Sequence, residues 1–332
     1  MKNYTTKITA ALLSVMMLGA VGCGQGTSAG TPVEQPDSTA DTTATVQQEE
    51  EVTVESLMKG LQEKANTSEG LAYNIDMDMA VEVTIFGEKA SSDTQGTGIC
   101  ESDGVNTHTK ITITSETDGE TTSEETETYY IKEGEKFTKY ELSDGKWYKS
   151  TDETNGGVDF NKMTDFDFST ATLDTTDTEY VVAANLAYDD VDDVVPTQSD
   201  EIGVEPDTSR TDNVQIPVEF HFDKETKELT SIFMDMGTAL NEVMKQATDE
   251  ALADAAKQNG VDAPSDSAAI FAMDITKFTT TMRDFDFTAH VVELPEEAKD
   301  ATEKPTIGQS QSNIPSASEP EVPAETAPTA TN

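Results

Sequence analysis

The feature that most constrains the fold is a long alternation of apolar and polar residues that begins at Tyr73 and ends at Ile85. Apolar side chains occupy the odd-numbered positions, and polar side chains such as Asn74, Asp76 and Asp78 lie between them. A period of two is typical of a β-strand whose side chains point alternately to the two faces of a sheet. A sheet with one apolar face must cover that face, so a second layer of structure is required.

Two segments with helical spacing can supply the second layer. In the segment 54–65 the apolar residues share one helix face because they recur at intervals of three and four: Val54, Leu57, Met58, Leu61 and Ala65. A second helix is predicted at about 238–257, where apolar residues from Leu240 to Ala255 have similar spacing and Gly260 follows. The sequence therefore predicts an α+β fold.

Further alternating runs predict additional strands, and the short polar turns between them indicate an antiparallel meander. The first half of the domain carries predicted strands at 94–101, 105–115, 128–131, 136–142 and 146–149, with an acidic, threonine-rich loop at 116–125. The second half carries predicted strands near 180–182, 214–222 and 229–236, and a final strand with Phe285, Phe287, Ala289 and Val291 on one face that Pro295 closes.

The amino-terminal residues predict a lipoprotein signal peptide over residues 1–22. Lys2 and Lys7 precede an uncharged apolar stretch at 8–21, whose length of about 14 residues suits a signal peptide and is too short to cross a bilayer. The tetrapeptide Ala-Val-Gly-Cys that ends at Cys23 resembles the lipobox of bacterial lipoproteins. We therefore expect lipidation of Cys23 and anchoring to the extracytoplasmic face of a membrane. The alternative is an ordinary secretory signal with a chance cysteine.

Composition divides the rest of the chain into three parts. Residues 23–51 comprise the cysteine and a polar tether, and residues 299–332 form an acidic tail rich in proline and threonine. Both segments lack the apolar area that would offset the entropy of ordering, so they are predicted to be disordered. Residues 52–298 are predicted to form a single folded domain.

Charge and motif content exclude several classes of function. The chain has 65 acidic and 21 basic residues and a net charge of −44, so phosphate groups repel it and no nucleic-acid partner is expected. Cys100 is expected to be a small strand residue rather than a disulfide partner or nucleophile. No catalytic or metal-binding motif is present, so we expect neither enzymatic activity nor a cofactor. The acidic run Asp189–Asp193 is either a solvated turn or a Ca²⁺ ligand set.

The layout resembles the LolA-like superfamily of lipoproteins, which includes the LppX and LprG type and uncharacterised Firmicutes lipoproteins. The resemblance rests on the lipoprotein signal, the tether, the helix followed by a long strand, and several strings. These are Tyr-Tyr-Ile at 129–131, Gly-Glu-Lys-Phe at 134–137, Asp-Gly-Lys-Trp-Tyr-Lys at 144–149, Asp-Lys-Glu-Thr-Lys-Glu-Leu at 223–229 and Val-Glu-Leu-Pro-Glu-Glu-Ala at 292–298. It implies a curved antiparallel sheet, an unclosed half-barrel, with helices over its concave face and a lipid in the enclosed space.

The predicted ligand-binding residues are the apolar side chains that would line this space: Met58, Leu61, Tyr73, Ile75, Met77, Met79, Val81 and Trp147. Methionine side chains repack easily and suit a cavity that accepts a hydrophobic ligand. The same pattern is more often that of a solid core, and a pair such as Trp147 and Tyr148 is more often a hairpin anchor than a cavity mouth. The expected partners are the membrane and a hydrophobic ligand, with an adaptor that binds a cell-envelope enzyme or receptor as the alternative function.

Overall fold

The fold is described from a computed structural model. It describes residues 23–24, 51–85, 88–117, 119–143, 145–152, 158–159, 166–188, 191, 214–242, 245, 257 and 271–303. The predicted signal peptide, most of the tether at 25–50 and the tail from 304 onward lie outside these residues. The described structure continues to Glu303, beyond the predicted domain boundary at residue 298.

Strands account for most of the described structure. In chain order they are β1 (Cys23–Gly24), β2 (Leu71–Ile85), β3 (Glu88–Ser102), β4 (Thr107–Thr117), β5 (Glu120–Glu133), β6 (Lys136–Ser143), β7 (Lys146–Asp152), β8 (Val158–Asp159), β9 (Thr172–Thr175), β10 (Glu179–Ala187), β11 (Gln215–Asp223), β12 (Leu229–Asp235), β13 (Phe271–Asp286) and β14 (Thr302–Glu303). β1 and β8 form a separate parallel pair.

The remaining twelve strands form one sheet in the order β14-β7-β6-β5-β4-β3-β2-β13-β12-β11-β10-β9. Strands β2 to β7 follow one another as one antiparallel meander, and β9 to β13 form a second. The long strands β2 and β13 pair and join the two meanders, while β14 adds in parallel to β7. The edge strands β14 and β9 do not pair with each other, so the curved sheet is unclosed. This confirms the predicted curved, largely antiparallel sheet.

The helix α1 (Val54–Thr67) is the predicted first helix. It begins at a capping box in which Ser56 N donates to Thr53 Oγ1 at 3.1 Å and Thr53 N donates to Ser56 Oγ at 3.0 Å. Its carboxyl end is tied to the turn between β11 and β12, because Lys64 Nζ donates to Glu228 Oε1 at 2.5 Å. Residues 237–242 are also helical, which agrees with the start of the second predicted helix.

The two faces of the sheet carry different packing. The inner face carries the odd-numbered residues of β2 and the residues that pair with them across the strands, and its apolar residues form the main core together with α1. The opposite, outer face is mostly solvent-exposed. It carries a smaller apolar cluster where the segment 291–303 packs on β5 to β7: Tyr129, Ile131, Tyr140, Trp147, Val292, Leu294, Ala298 and Ala301.

Two predicted elements are wrong in position. The predicted loop at 116–125 instead comprises the end of β4, a tight turn at Gly119 and the start of β5. Threonine favours strands, and the φ of +79° at Gly119 allows the chain to reverse in few residues. The predicted final strand at 285–291 begins too far along the chain. The observed strand β13 begins at Phe271 and ends at Asp286, and its register with β2 breaks between Arg283 and Asp286.

Candidate functional site

The residues predicted to bind a ligand lie almost all on the inner side of the sheet. The predicted residues of β2 are between 0% and 3% exposed: Tyr73, Ile75, Met77, Met79 and Val81. Met58 and Leu61 of α1 are also buried and belong to the same hydrophobic cluster. The structure therefore brings together the predicted residues of the helix and of the long strand.

Trp147 is not brought together with the other predicted residues, because it lies on the outer face. Its neighbour Tyr148 pairs with Glu141 and points to the inner face, so Trp147 points away from it. The ring centroid of Trp147 lies 5.9 Å from that of Tyr129. Trp147 therefore packs in the smaller cluster beneath the segment 291–303.

The inner face is chemically divided between the two halves of the sheet. On β10 to β13 most of its buried residues are large and apolar; Phe220, Ile232 and Met282 share one cross-strand row with Ile75 of β2. On β3 to β6 most of its buried side chains are small or polar: Ser92, Thr94, Cys100, Ser102, Thr107, Thr109, Thr117 and Lys139. The two halves of the inner face therefore differ in polarity.

Buried hydroxyl groups on β3 and β4 pair with one another between the strands. Ser92 Oγ lies 2.8 Å from Thr117 Oγ1, and Thr94 Oγ1 donates to Ser115 Oγ at 3.0 Å. A buried hydroxyl that keeps a hydrogen bond avoids most of the cost of leaving water. This part of the inner face is thus a set of satisfied polar pairs.

Cys100 and Lys139 also lie on the polar half. Cys100 is fully buried, and its Sγ lies 3.5 Å from Thr109 Oγ1, which confirms the predicted small strand residue. Lys139 is 6% exposed, with its Nζ 3.3 Å from Glu141 Oε2 and 5.9 Å from the ring centroid of Tyr130. A buried ammonium group requires an opposite charge, and Glu141 supplies it.

A cavity of about 570 Å³ opens beside the start of α1. Its lining comes from the first turns of the helix and from the short 3₁₀ segment Phe168–Thr170: Thr53, Val54, Glu55, Met58, Lys59, Gln62, Phe168 and Ser169. The ring of Phe168 also packs edge-on against Phe220 of the inner face, with centroids 5.7 Å apart. The cavity therefore adjoins the apolar half of the inner face and includes Met58, one of the predicted binding residues.

Sequence reasoning missed a polar cluster around His108 on the outer face. The ring of His108 stacks on Tyr129 at 4.3 Å, and its two nitrogens each lie 3.2 Å from a carboxylate oxygen, of Glu101 and of Glu127. Tyr129 donates to Glu127 at 2.8 Å, and burial together with this bond raises the pKa of the Tyr129 hydroxyl. The cluster forms because the register of β3, β4 and β5 places these residues side by side, and no local sequence motif predicts it.

Among the described residues, no group of histidine, cysteine and carboxylate side chains is arranged to hold a metal ion. The acidic residues Asp189, Asp190, Asp192 and Asp193 lie outside the described residues. No helix in the described part of the chain is long and apolar enough to cross a membrane.

Comparison with known proteins does not identify a family. No family model and no curated protein matches the chain. Among solved structures, it is similar to a DUF1329 family protein from Desulfovibrio piger at 7% sequence identity. That match covers 70% of this chain and 89% of the other, with a TM-score of 0.20.

Proposed function

We propose that this chain is a membrane-anchored extracytoplasmic lipoprotein that binds a lipid or another hydrophobic ligand and has no enzymatic activity. The anchor would be the lipid on Cys23, and the binding surface would be the inner face of the sheet under its covering helices. In this proposal the unclosed sheet is a half-barrel of the LolA-like kind.

The observation that carries the proposal is the cavity of about 570 Å³ beside α1. Ligand cavities in proteins commonly measure about 300–1,000 Å³ and have mostly apolar walls with a few polar groups. Met58 lines this cavity, while Met77 and Met79 are buried on the inner face. Methionine side chains are flexible enough to make room for acyl chains of different length.

Binding can be tested on the mature chain, residues 23–332, with Cys23→Ser to remove the anchor. The protein is incubated with vesicles of phosphatidylcholine, separated from them and analysed by native mass spectrometry. We expect one bound lipid for each chain, and displacement of an apolar dye by the same lipid. A chain that carries no lipid and takes up no dye would contradict the proposal, and a stoichiometric crosslinked partner in cells would then favour the adaptor.

Two obstructing substitutions locate the site. Met58→Trp fills the cavity from the helix, and Ser169→Trp fills it from the exposed opposite wall. A blocked cavity should lower lipid affinity about tenfold or more, which corresponds to about 1.4 kcal/mol. Val291→Trp is the matched control, because Val291 is 79% exposed and lies outside the cavity lining. Equal affinity in all three variants would place the ligand elsewhere.

The anchor is tested separately. The full chain should fractionate with membranes and carry a mass increase on Cys23, and the Cys23→Ser variant should be released. Diacyl modification holds a protein stably at a membrane, whereas one chain binds only marginally. If the full chain and its Cys23→Ser variant both stay with the membranes, or if both are released from them, anchoring through Cys23 is contradicted.

A further inference from the structure

Thr280 of β13 differs from the other buried hydroxyl residues. It is 1% exposed, and its register with Met77 places its side chain on the inner face. Its Oγ1 is fully buried and has no hydrogen-bond partner in the described part of the chain. On β3, by contrast, Ser92 and Thr94 both pair their hydroxyls with residues of β4. A buried hydroxyl without a partner lowers stability, so such a group in a folded protein calls for a physical reason.

The position of Thr280 supplies that reason. On one side it pairs with Met234 of β12, which belongs to the apolar half of the inner face. On the other side it pairs with Met77, which in turn pairs with Gly96 of β3, next to the hydroxyl pairs of the polar half. Thr280 therefore lies between the large apolar residues of β10 to β12 and the hydroxyl groups of β3, with Met77 of β2 between it and β3.

The surface beside Thr280 can adapt. Gly96 contributes no side chain, and the nearest atom to the place of its missing Cβ is Cε of Met77, at 2.6 Å. That methyl group is the far end of a flexible side chain, which can rotate aside and uncover Gly96. A ligand group could then approach the sheet backbone at Gly96 of β3.

We propose that Thr280 is a specificity-determining residue whose hydroxyl donates a hydrogen bond to an ester carbonyl of a bound glycerolipid. This inference rests on the proposed lipid-binding function. In a glycerolipid the ester carbonyls lie between the acyl chains and the headgroup. The acyl chains would lie over β10 to β12, and the polar part would lie over the hydroxyl groups of β3 and β4.

The test uses the mature chain with Cys23→Ser and compares two probes, dipalmitoyl phosphatidylcholine and its dihexadecyl ether analogue. The ether analogue has the same chains and headgroup but lacks both carbonyl groups. Thr280→Val keeps the shape of the side chain and removes its hydroxyl. We expect this variant to bind the ester lipid about three- to tenfold more weakly than the parent chain and the ether lipid equally well.

A stability measurement separates this role from a structural one. Thr280→Val should leave the urea midpoint unchanged or raise it, because no protein hydrogen bond is lost. Thr94→Val is the control, because it breaks the bond to Ser115 and should lower the midpoint. If Thr280→Val also lowers the midpoint, or binds both lipids as the parent does, the role of Thr280 is refuted. If the parent binds neither lipid, the proposed function itself fails.

Discussion

Replacement of Gly98 by alanine should destabilise the protein far more than the same change at Gly96, two residues away. An ideal Cβ on Gly98 would lie 2.4 Å from the carbonyl oxygen of Lys110 and 3.0 Å from Cα of Ile111. Both are backbone atoms of the paired strand β4, so they cannot rotate away. At Gly96 the new methyl group would meet only the side chain of Met77 closer than 3.9 Å.

The expected magnitude follows from these contacts. Overpacking typically costs about 1–3 kcal/mol, and a backbone obstacle places Gly98→Ala near the upper end. Alanine has less conformational freedom than glycine in the unfolded chain, and this difference raises the free energy of unfolding by about 0.4–1 kcal/mol. The net loss for Gly98→Ala is therefore about 2 kcal/mol. Gly96→Ala should stay within about 1 kcal/mol of the parent, because Met77 can repack.

Urea unfolding followed by circular dichroism measures the difference on the mature chain with Cys23→Ser. A loss of about 2 kcal/mol corresponds to a fall of about 4–8 °C in melting temperature for a domain of this size. Far-ultraviolet spectra of the folded variants check that the sheet is retained. Equal midpoints for the two variants would refute the close approach of β3 and β4 at Gly98.

Three further substitutions test other parts of the fold. Thr53→Ala removes the cap of α1 and should cost about 1 kcal/mol in urea unfolding. Phe220→Ala empties a fully buried position of the inner face and should cost about 3–5 kcal/mol, or abolish folding. Burial, and then the bond to Glu127, raise the pKa of Tyr129 above the ordinary value of about 10. The contribution of the neutral Tyr129 hydroxyl to the free energy of unfolding is therefore complete below pH about 10 and is lost as the pH rises through the raised pKa. The urea midpoint of Tyr129→Phe should therefore vary less in alkali than that of the parent.

The sequence predicts β2 well because its alternation is unbroken. The strand β13 pairs with it and is the longest described strand, yet no alternating run reveals it. Its buried apolar residues Ile275, Phe278 and Met282 are spaced by three and four, which is a helical spacing, because the register shifts between Ile275 and Lys277. A β-bulge of this kind moves later side chains to the other face and hides the strand from pattern analysis. Thr280, the residue we assign to ligand recognition, lies on that strand.

The prediction of Trp147 as a cavity residue shows a second limit. Alternation indicates that neighbouring residues point to opposite faces, but it does not indicate which of the two faces is covered. Only the register of β7 with β6 places Tyr148 on the inner side and Trp147 on the outer side. The cluster around His108 likewise depends on pairings across three strands. Such arrangements arise from the register between neighbouring strands, which the alternation within one strand does not encode.

The pairing of β2 with β13 also governs the order in which the molecule can assemble. The first meander can form from local turns, but one side of β2 stays unpaired until residues 271–286 arrive. The loop that joins β2 to β13 is long, so its closure is slow, and until then the unpaired edge of β2 can pair with other chains. If the chain is exported from its amino terminus, nearly the whole domain must cross the membrane before its two halves can join. The pairing of β2 with β13 is thus a late step in folding, and a chain that has not yet completed it exposes the strand edge most prone to aggregation.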